Sequence, residues 1–308
     1  PVFSSAPETH CFTHVLEHAP GWLNRTRRAD ELPKLFLWLA GKPGIKLDDE
    51  TQAHIIKAAE PDGIAPAVML DTIMRFYGAK QNKHDRWLEK TPRHVNHIPA
   101  ILQLFPDARI INIVRDPRDV VSSNVRFQNL SRTEAQKERR RICIERSGTW
   151  NTMVAFARQL QPTENRMMTI RYEDLVVDPV RHLSEMMSFA GVEGDASEAI
   201  ESFSSHYNEV ALEKEVHKQL CAAGEIVDRR GIWKKRMTPD EAQIVDTLCV
   251  DLMQAYDYPV EHELIPLKIG LEKLRYDLAA QAQRARIRLY QTSRRGAGKV
   301  LRTIGLRK

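Results

Sequence analysis

ARIINIVRDPRDVVSSNVR, residues 108–126, changes character at Val114. Ala108–Val114 is a nearly continuous apolar run, the pattern of a strand buried on both faces in a parallel sheet. Asp116 is a good helix N-cap and Pro117 a good first helical residue, because the missing N–H of proline costs nothing there. A helix is therefore predicted from Pro117. Arg115 then lies at the carboxyl end of a strand and faces a helix N-terminus, the edge where open α/β sheets bind ligands. The N–H groups and dipole of a helix start favour an anion. A guanidinium adds a bidentate clamp, and Ser122 and Ser123 offer hydroxyls about two turns along. A phosphate site is expected that needs no glycine-rich loop. The alternative is that Arg115, Asp116, Arg118 and Asp119 form surface ion pairs at a turn.

Working outward, residues 63–80 read as a helix with Val68, Leu70, Ile73 and Met74 on one side, and Arg86–Lys90 as a short strand end. Thr91-Pro92 breaks that strand, and His94–Phe105 reads as a helix with Val95, Ile98, Ile101 and Leu102 inside. A long helix is predicted over roughly 134–160, a second buried strand at Met167–Ile170, and helices at about 180–189 and 239–256. A polar, charged helix is predicted over about 264–289. Strands alternating with helices predict an α/β fold with a parallel sheet. The expected organisation is one domain over 1–262 and a C-terminal helix with a basic tail over 263–308.

The net charge of +5 is unevenly spread. From Gln283 on there are nine Lys/Arg and no Asp/Glu, so residues 1–282 carry 37 basic against 41 acidic groups. A basic tail suits weak contact with an anionic membrane, although a solvated end is the plainer reading. The same tail would also suit nucleic acid as an anionic partner, but no nucleic-acid partner is expected. Cys11, Cys143, Cys221 and Cys249 are scattered without a C-x-x-C pair, so neither a metal cluster nor a disulfide framework is expected. A reducing, cytoplasmic setting follows. No run of 18 apolar residues and no secretory signal is visible.

EKTPRHVNHIPAILQLFPDARIINIVRDPRDVVSS (89–123), TIRYEDLVVDPVRHLSEMMSFAGV (169–192) and RRGIWKKRMTPDEAQIV (229–245) together resemble the sulfotransferases that use 3′-phosphoadenosine 5′-phosphosulfate (PAPS). The likeness is greatest to tyrosylprotein-type and related bacterial members. Three ordered segments, within a likeness over roughly residues 1–258, are far more specific than any one of them. The resemblance implies a helix-rich, three-layer, P-loop-NTPase-like fold with a central parallel sheet. It implies transfer of a sulfuryl group from PAPS to a hydroxyl or amine acceptor, with release of 3′-phosphoadenosine 5′-phosphate (PAP) and no metal. By that resemblance Arg115 and Ser123, eight residues apart, hold the 3′-phosphate. Tyr172 contacts the adenosine, and the loop with Arg229, Arg230 and Gly231 closes over the 3′-phosphate, the choice between the two arginines staying open. Lys90 sits beside the bridging oxygen of the donor and neutralises the leaving group. Glu8 takes the acceptor proton, with His10 and His14 as rivals. The acceptor is a small molecule, a carbohydrate or a protein tyrosine.

One family element has no counterpart here: a strand, a turn resembling R-S-G-T-[ST], and a helix, whose N–H groups cradle the 5′-phosphosulfate. LFLWLAGKPGIK (35–46) is the nearest look-alike, but it has no G-K-[ST] and its proline removes a donor. The expectation is that the sequence starts downstream of this element and that residues 1–308 alone are inactive or nearly so. A PAP-binding relative without turnover, and a small-molecule kinase on the same fold, are the competing readings. A kinase needs a Walker lysine and a magnesium-binding Ser/Thr, and neither is found.

Overall fold

The computed structural model describes residues 4–5, 26, 28–40, 48–79, 86–124, 132–202 and 228–265. The chain divides into two compact units, residues 1–108 and 109–308.

In the first unit, β1 (Ser4–Ser5) pairs in parallel with β2 (Trp87–Leu88). Helices α1 (Leu32–Ala40), α2 (Asp49–Ala58) and α3 (Pro66–Ala79) lie between them in sequence. Asp48 starts α2 by accepting the Thr51 N–H at 2.9 Å and the Thr51 hydroxyl at 2.6 Å, the ordinary N-cap arrangement. In α3, Met69, Leu70, Ile73 and Met74 are buried, whereas Val68 is 53% exposed. Leu70, Ile73 and Met74 therefore face inward as expected and Met69 takes the place expected for Val68, with the i, i+3, i+4 spacing of a helical face. His94–Phe105 is two elements, a 3-10 stretch Pro92–His97 followed by α4 (Ile98–Leu104). Pro99 lacks an N–H to continue the first and suits the opening turn of the second. Ile98, Ile101 and Leu102 are buried as expected, and Val95 is half-buried.

In the second unit, β3 (Ile110–Val114) pairs in parallel with β4 (Met167–Arg171), Ile110 opposite Met167 through Val114 opposite Arg171. Asn112 donates across the pair to its partner Thr169 at 3.2 Å. The crossover contains α5 (Pro117–Asn124) and α6 (Arg132–Leu160). After β4 come α7 (Tyr172–Val177), α8 (Pro179–Phe189) and, further on, α9 (Pro239–Ala255). Thr238 and Glu241 form a capping box at the start of α9. The Glu241 carboxylate also receives both arms of Arg139 on α6, at 2.6 and 2.7 Å. One side chain thus starts a helix and ties it to its neighbour.

The core of this unit is built from Val114, Val121, Cys143, Ile144, Trp150, Val154, Ile244, Val245, Cys249, Met253 and Tyr258. It sits where α5, α6 and α9 converge on the end of β3. Burial of β3 follows that placement. Val114 is buried, Ile110–Asn112 are half-buried, and Ile113 is 49% exposed. The expectation of a strand covered on both faces therefore fails along most of its length among the described residues. The chain beyond α9 remains tied to it through Ile265, since Gln243 donates to the Glu263 carbonyl at 2.8 Å and the Ile265 N–H donates to Thr247 at 3.2 Å. The architecture is helix-rich α/β with parallel strand pairs. The helix expected over 264–289 lies outside the described residues from 266 on.

Candidate functional site

The turn from β3 to α5 is held from several sides. Asp116 caps the helix, its Oδ1 accepting the Arg118 N–H at 2.8 Å and its carbonyl accepting the Val120 N–H at 3.1 Å. Its own N–H donates to Glu173 Oε1 on α7 at 3.0 Å. Glu173 Oε2 accepts the Tyr258 hydroxyl at 2.8 Å. Burial, then the charge of Glu173, raises the pKa of that phenol well above its ordinary value, so it stays a donor. Pro117 has no N–H and that of Arg118 is taken by Asp116. The helix start therefore offers an anion less than its sequence implies.

Arg115 leaves the end of β3 with its side chain 24% exposed. Its carbonyl accepts the Trp150 indole N–H at 3.0 Å. Its Nη2 donates to the Arg229 carbonyl and lies 3.3 Å from Asp119 Oδ2. Its guanidinium stands 4.4 Å over the centre of the Tyr172 ring, a cation–π distance. The ring expected to meet adenosine thus presents one face to Arg115. Ser122 is wholly buried and donates to the Asp119 carbonyl, while Ser123 is exposed and donates to the Val120 carbonyl at 2.7 Å. Of the two hydroxyls, Ser123 is the one within reach of a ligand.

The loop 228–233 comes to the same place. Gly231 takes a left-handed conformation, φ 67°, where a Cβ would be strained even though it would meet nothing within 4 Å. Its N–H donates to Asp119 Oδ2 at 2.9 Å, and the Trp233 N–H donates to Asp119 Oδ1 at 2.9 Å. Arg230 is held by Asp228, with contacts of 2.8–3.0 Å. The Arg229 side chain is half-buried and makes no hydrogen bond or ion pair with another described residue.

The ion pairs considered for R-D-P-R-D do form, but the Arg118–Asp116 pair is buried and the Arg115–Asp119 pair half-buried instead of lying on the surface. Arg118 is 1% exposed. It grips Asp116 through Nε at 3.0 Å and Nη2 at 2.7 Å, and its Nη1 lies 3.4 Å from Asp246 and 3.8 Å from Glu261. Its guanidinium stacks 4.4 Å from the Trp233 ring. Burial alone would lower its pKa, but the hydrogen bond and charge of Asp116, with Asp246 and Glu261, raise it. Sequence reasoning gave Glu173 and Trp150 no role and Asp119 only that of an ion pair at a turn, although each touches Arg115 or the turn that carries it.

In the first unit, Lys90 is exposed just beyond β2. The buried carboxylate of Glu89 fixes the turn after it, accepting the Thr91 hydroxyl at 2.6 Å and lying 2.7 Å from His94 Nδ1. The Trp87 indole donates to Asp71 at 2.8 Å and meets Phe105 edge-on at 5.4 Å. Glu8, His10 and His14 lie outside the described residues. Among the described residues there is no group of three or more His, Cys, Asp or Glu placed to hold a metal, and no helix long and apolar enough to cross a membrane.

Comparison with known proteins adds a family. The profile described as the sulfotransferase family matches residues 1–196. Two curated proteins, each named omega-hydroxy-beta-dihydromenaquinone-9 sulfotransferase Stf3, from Mycobacterium bovis and Mycobacterium tuberculosis, are 29% identical over 172 residues. The match covers 50% of this chain and 43% of each relative, so the chain spans less than half the length of the curated proteins it matches. A solved sulfotransferase domain from the curacin biosynthetic pathway aligns at 20% identity with a TM-score of 0.36, covering 84% of this chain and 89% of that one.

Proposed function

The chain belongs to the sulfotransferase family, and from that premise we propose that it takes part in transferring a sulfuryl group from PAPS to a hydroxyl or amine acceptor, releasing PAP. The proposal includes the three-layer, P-loop-NTPase-like fold. The observation that carries the reading is the meeting at Arg115 of the β3 end and the loop 229–231, 114 residues apart in sequence. A strand-end arginine, an exposed hydroxyl at Ser123, a ring at Tyr172 and an arginine–glycine loop supply what a 3′-phosphoadenosine needs: charge, directed donors and an aromatic surface.

In this reading Arg115, Ser123 and the loop hold the 3′-phosphate. Of the two loop arginines we assign the ligand to Arg229, because Arg230 already pairs with Asp228. Tyr172 receives the adenosine on the ring face away from Arg115. The acceptor oxygen attacks sulfur in line, its proton passes to Glu8 or His10, the bond from sulfur to the bridging oxygen breaks, and PAP leaves. Lys90 offsets the charge that builds on that oxygen. The protein's part is positioning and charge stabilisation, as in phosphoryl transfer. The name of the mycobacterial relatives describes a hydroxylated acceptor, which fits the hydroxyl class proposed here. A cytoplasmic setting is part of the reading, supported by the buried free thiols of Cys143 and Cys249.

The test is calorimetric titration with PAP. Arg115→Ala should weaken binding by about 2 kcal/mol or more, the scale of a charge-assisted contact, or roughly 30-fold in Kd. Unchanged affinity with an intact fold removes Arg115 from the site. Transfer of labelled sulfate from PAPS to phenols, sugars or tyrosine peptides separates an enzyme from a relative that only binds the nucleotide.

A further inference from the structure

Asp119 is the third residue of α5, the position from which a carboxylate in a capping box turns back to the N-cap N–H. It does not do so here. That N–H goes to Glu173, and Asp119 instead accepts the N–H groups of Gly231 and Trp233, both at 2.9 Å. The side chain is wholly buried. Its Oδ2 also lies 3.3 Å from Arg115 Nη2, the nitrogen that donates to the Arg229 carbonyl. Arg115 and the loop are therefore tied to each other directly and again through one carboxylate.

We propose that Asp119 is a positioning residue that joins Arg115 and the loop 229–233 into one preformed anion cradle. The inference rests on the reading of these elements as the 3′-phosphate site, and it adds what assembles them. A loop that passes through a left-handed glycine and carries two adjacent arginines has no reason of its own to stay closed. Ordering it when the ligand arrives would weaken binding, and ordering it beforehand removes that cost. The carboxylate has the right valence for the task, since both its oxygens accept. An asparagine would accept through one oxygen and turn an NH2 group toward the second N–H.

A negative charge beside an anion site opposes the anion by Coulomb repulsion. Asp119→Asn therefore has opposite signs in the two accounts. If the charge alone matters, PAP binds more tightly. If Asp119 positions the loop, PAP binds more weakly although the site has become more positive.

The experiment uses the full chain. Hydrogen exchange of the peptide covering 228–236 is followed without ligand, and Kd is measured for PAP and for 5′-AMP, which lacks the 3′-phosphate. Asp119→Asn should speed exchange of the 231 and 233 amides by about tenfold or more. It should raise the PAP Kd by about tenfold, the effect of one lost hydrogen bond to a charged group, and leave 5′-AMP within about threefold. Gly231→Ala loosens the same loop while keeping the carboxylate and should give the same pattern. It also serves as the test if Asp119→Asn does not fold. The double variant should be no weaker than the poorer single one. Tighter or unchanged PAP binding by Asp119→Asn overturns the proposal, and so does equal weakening of both nucleotides, which marks a general structural role. If the unaltered chain binds no PAP, the nucleotide reading fails. The exchange rates then decide alone whether Asp119 holds the loop, and unchanged exchange overturns that part too.

Discussion

Replacing Arg118 by methionine removes a buried cation at nearly constant volume and leaves its carboxylate partners in place. Asp116 loses two charge-assisted hydrogen bonds, at 3.0 and 2.7 Å, and buried Asp246 loses the cation 3.4 Å away. Removing one partner of a buried ion pair costs about 3–5 kcal/mol. The lower end applies here, because both carboxylates keep other donors. Asp116 still accepts the N–H of residue 118, and Asp246 Oδ2 still receives the N–H groups of Glu261 and His262 at 3.1 Å and faces His262 Nδ1 at 2.8 Å. Losing the stack on Trp233 adds about 0.5–2 kcal/mol. The expected destabilisation is about 4 kcal/mol, a large part of the ~5–15 kcal/mol that holds a typical domain together. Urea unfolding followed by tryptophan fluorescence measures it. Arg118→Lys keeps the charge but loses the planar fork and should cost about half as much. Adding Asp246→Asn to the methionine variant should recover about 1–3 kcal/mol, since it removes a stranded charge. A loss below about 1 kcal/mol at neutral pH would refute the reasoning.

Burial, then the charge of Glu241, pushes the Cys143 thiol from its ordinary 9.0 up to about 12, and burial raises that of Cys249 as well. Peptide mapping after alkylation at mild alkaline pH should find both unmodified until the protein is unfolded. Because the folded Cys143 keeps its proton where the unfolded chain loses it, its contribution to stability is complete below about pH 9 and declines as pH rises toward 12, so Cys143→Ser should flatten the alkaline fall in the urea midpoint. In a form that transfers sulfate, Lys90→Ala should lower kcat with little change in PAP affinity, and Glu8→Gln should lower kcat by roughly 10²-fold. Normal turnover by Glu8→Gln together with its loss in His10→Ala would assign the base to His10.

Elements whose pattern is local were legible before any coordinates. The ends of β3 and α5 follow from Val114, Asp116 and Pro117, and α6, α8 and α9 fall close to the expected spans, because periodicity and capping act within a few residues. Burial was less legible, because it depends on what comes to cover an element. Ile113 looks like a core residue and is half exposed, Val68 gives up the inward face of α3 to Met69, and Arg118 looks like surface charge yet is among the most buried side chains. The partners of the site were hidden for the same reason. Gly231 and Trp233 reach Asp119 across 112 and 114 residues, and nothing in the spacing of an aspartate announces which backbone N–H it will accept. Arg115, Ser123, Tyr172 and Gly231 could be picked out because their segments resemble a family, whereas Asp119 and Glu173 act through contacts that only the fold creates.

Arg115 and Arg118 stand three residues apart in one turn, and composition cannot tell their roles apart. Their surroundings do. Arg118 points inward to Asp116, Asp246 and Glu261, with an indole ring closing its face. With Nε and Nη2 both bound to Asp116 and almost no exposed surface, its charge serves the fold. Arg115 points to the strand end, with a carboxylate at 3.3 Å, a backbone carbonyl and a ring face that orient it while leaving part of it exposed. Restraint without full neutralisation is the condition under which a guanidinium can still bind an anion at little entropic cost. The two aspartates divide in the same way: Asp116 holds Arg118 in the core, and Asp119 holds the loop against Arg115. The five residues of R-D-P-R-D thus make one pair closed off in the core, Asp116 with Arg118, and one at the exposed strand end, Arg115 with Asp119, joined by the proline that starts the helix between them.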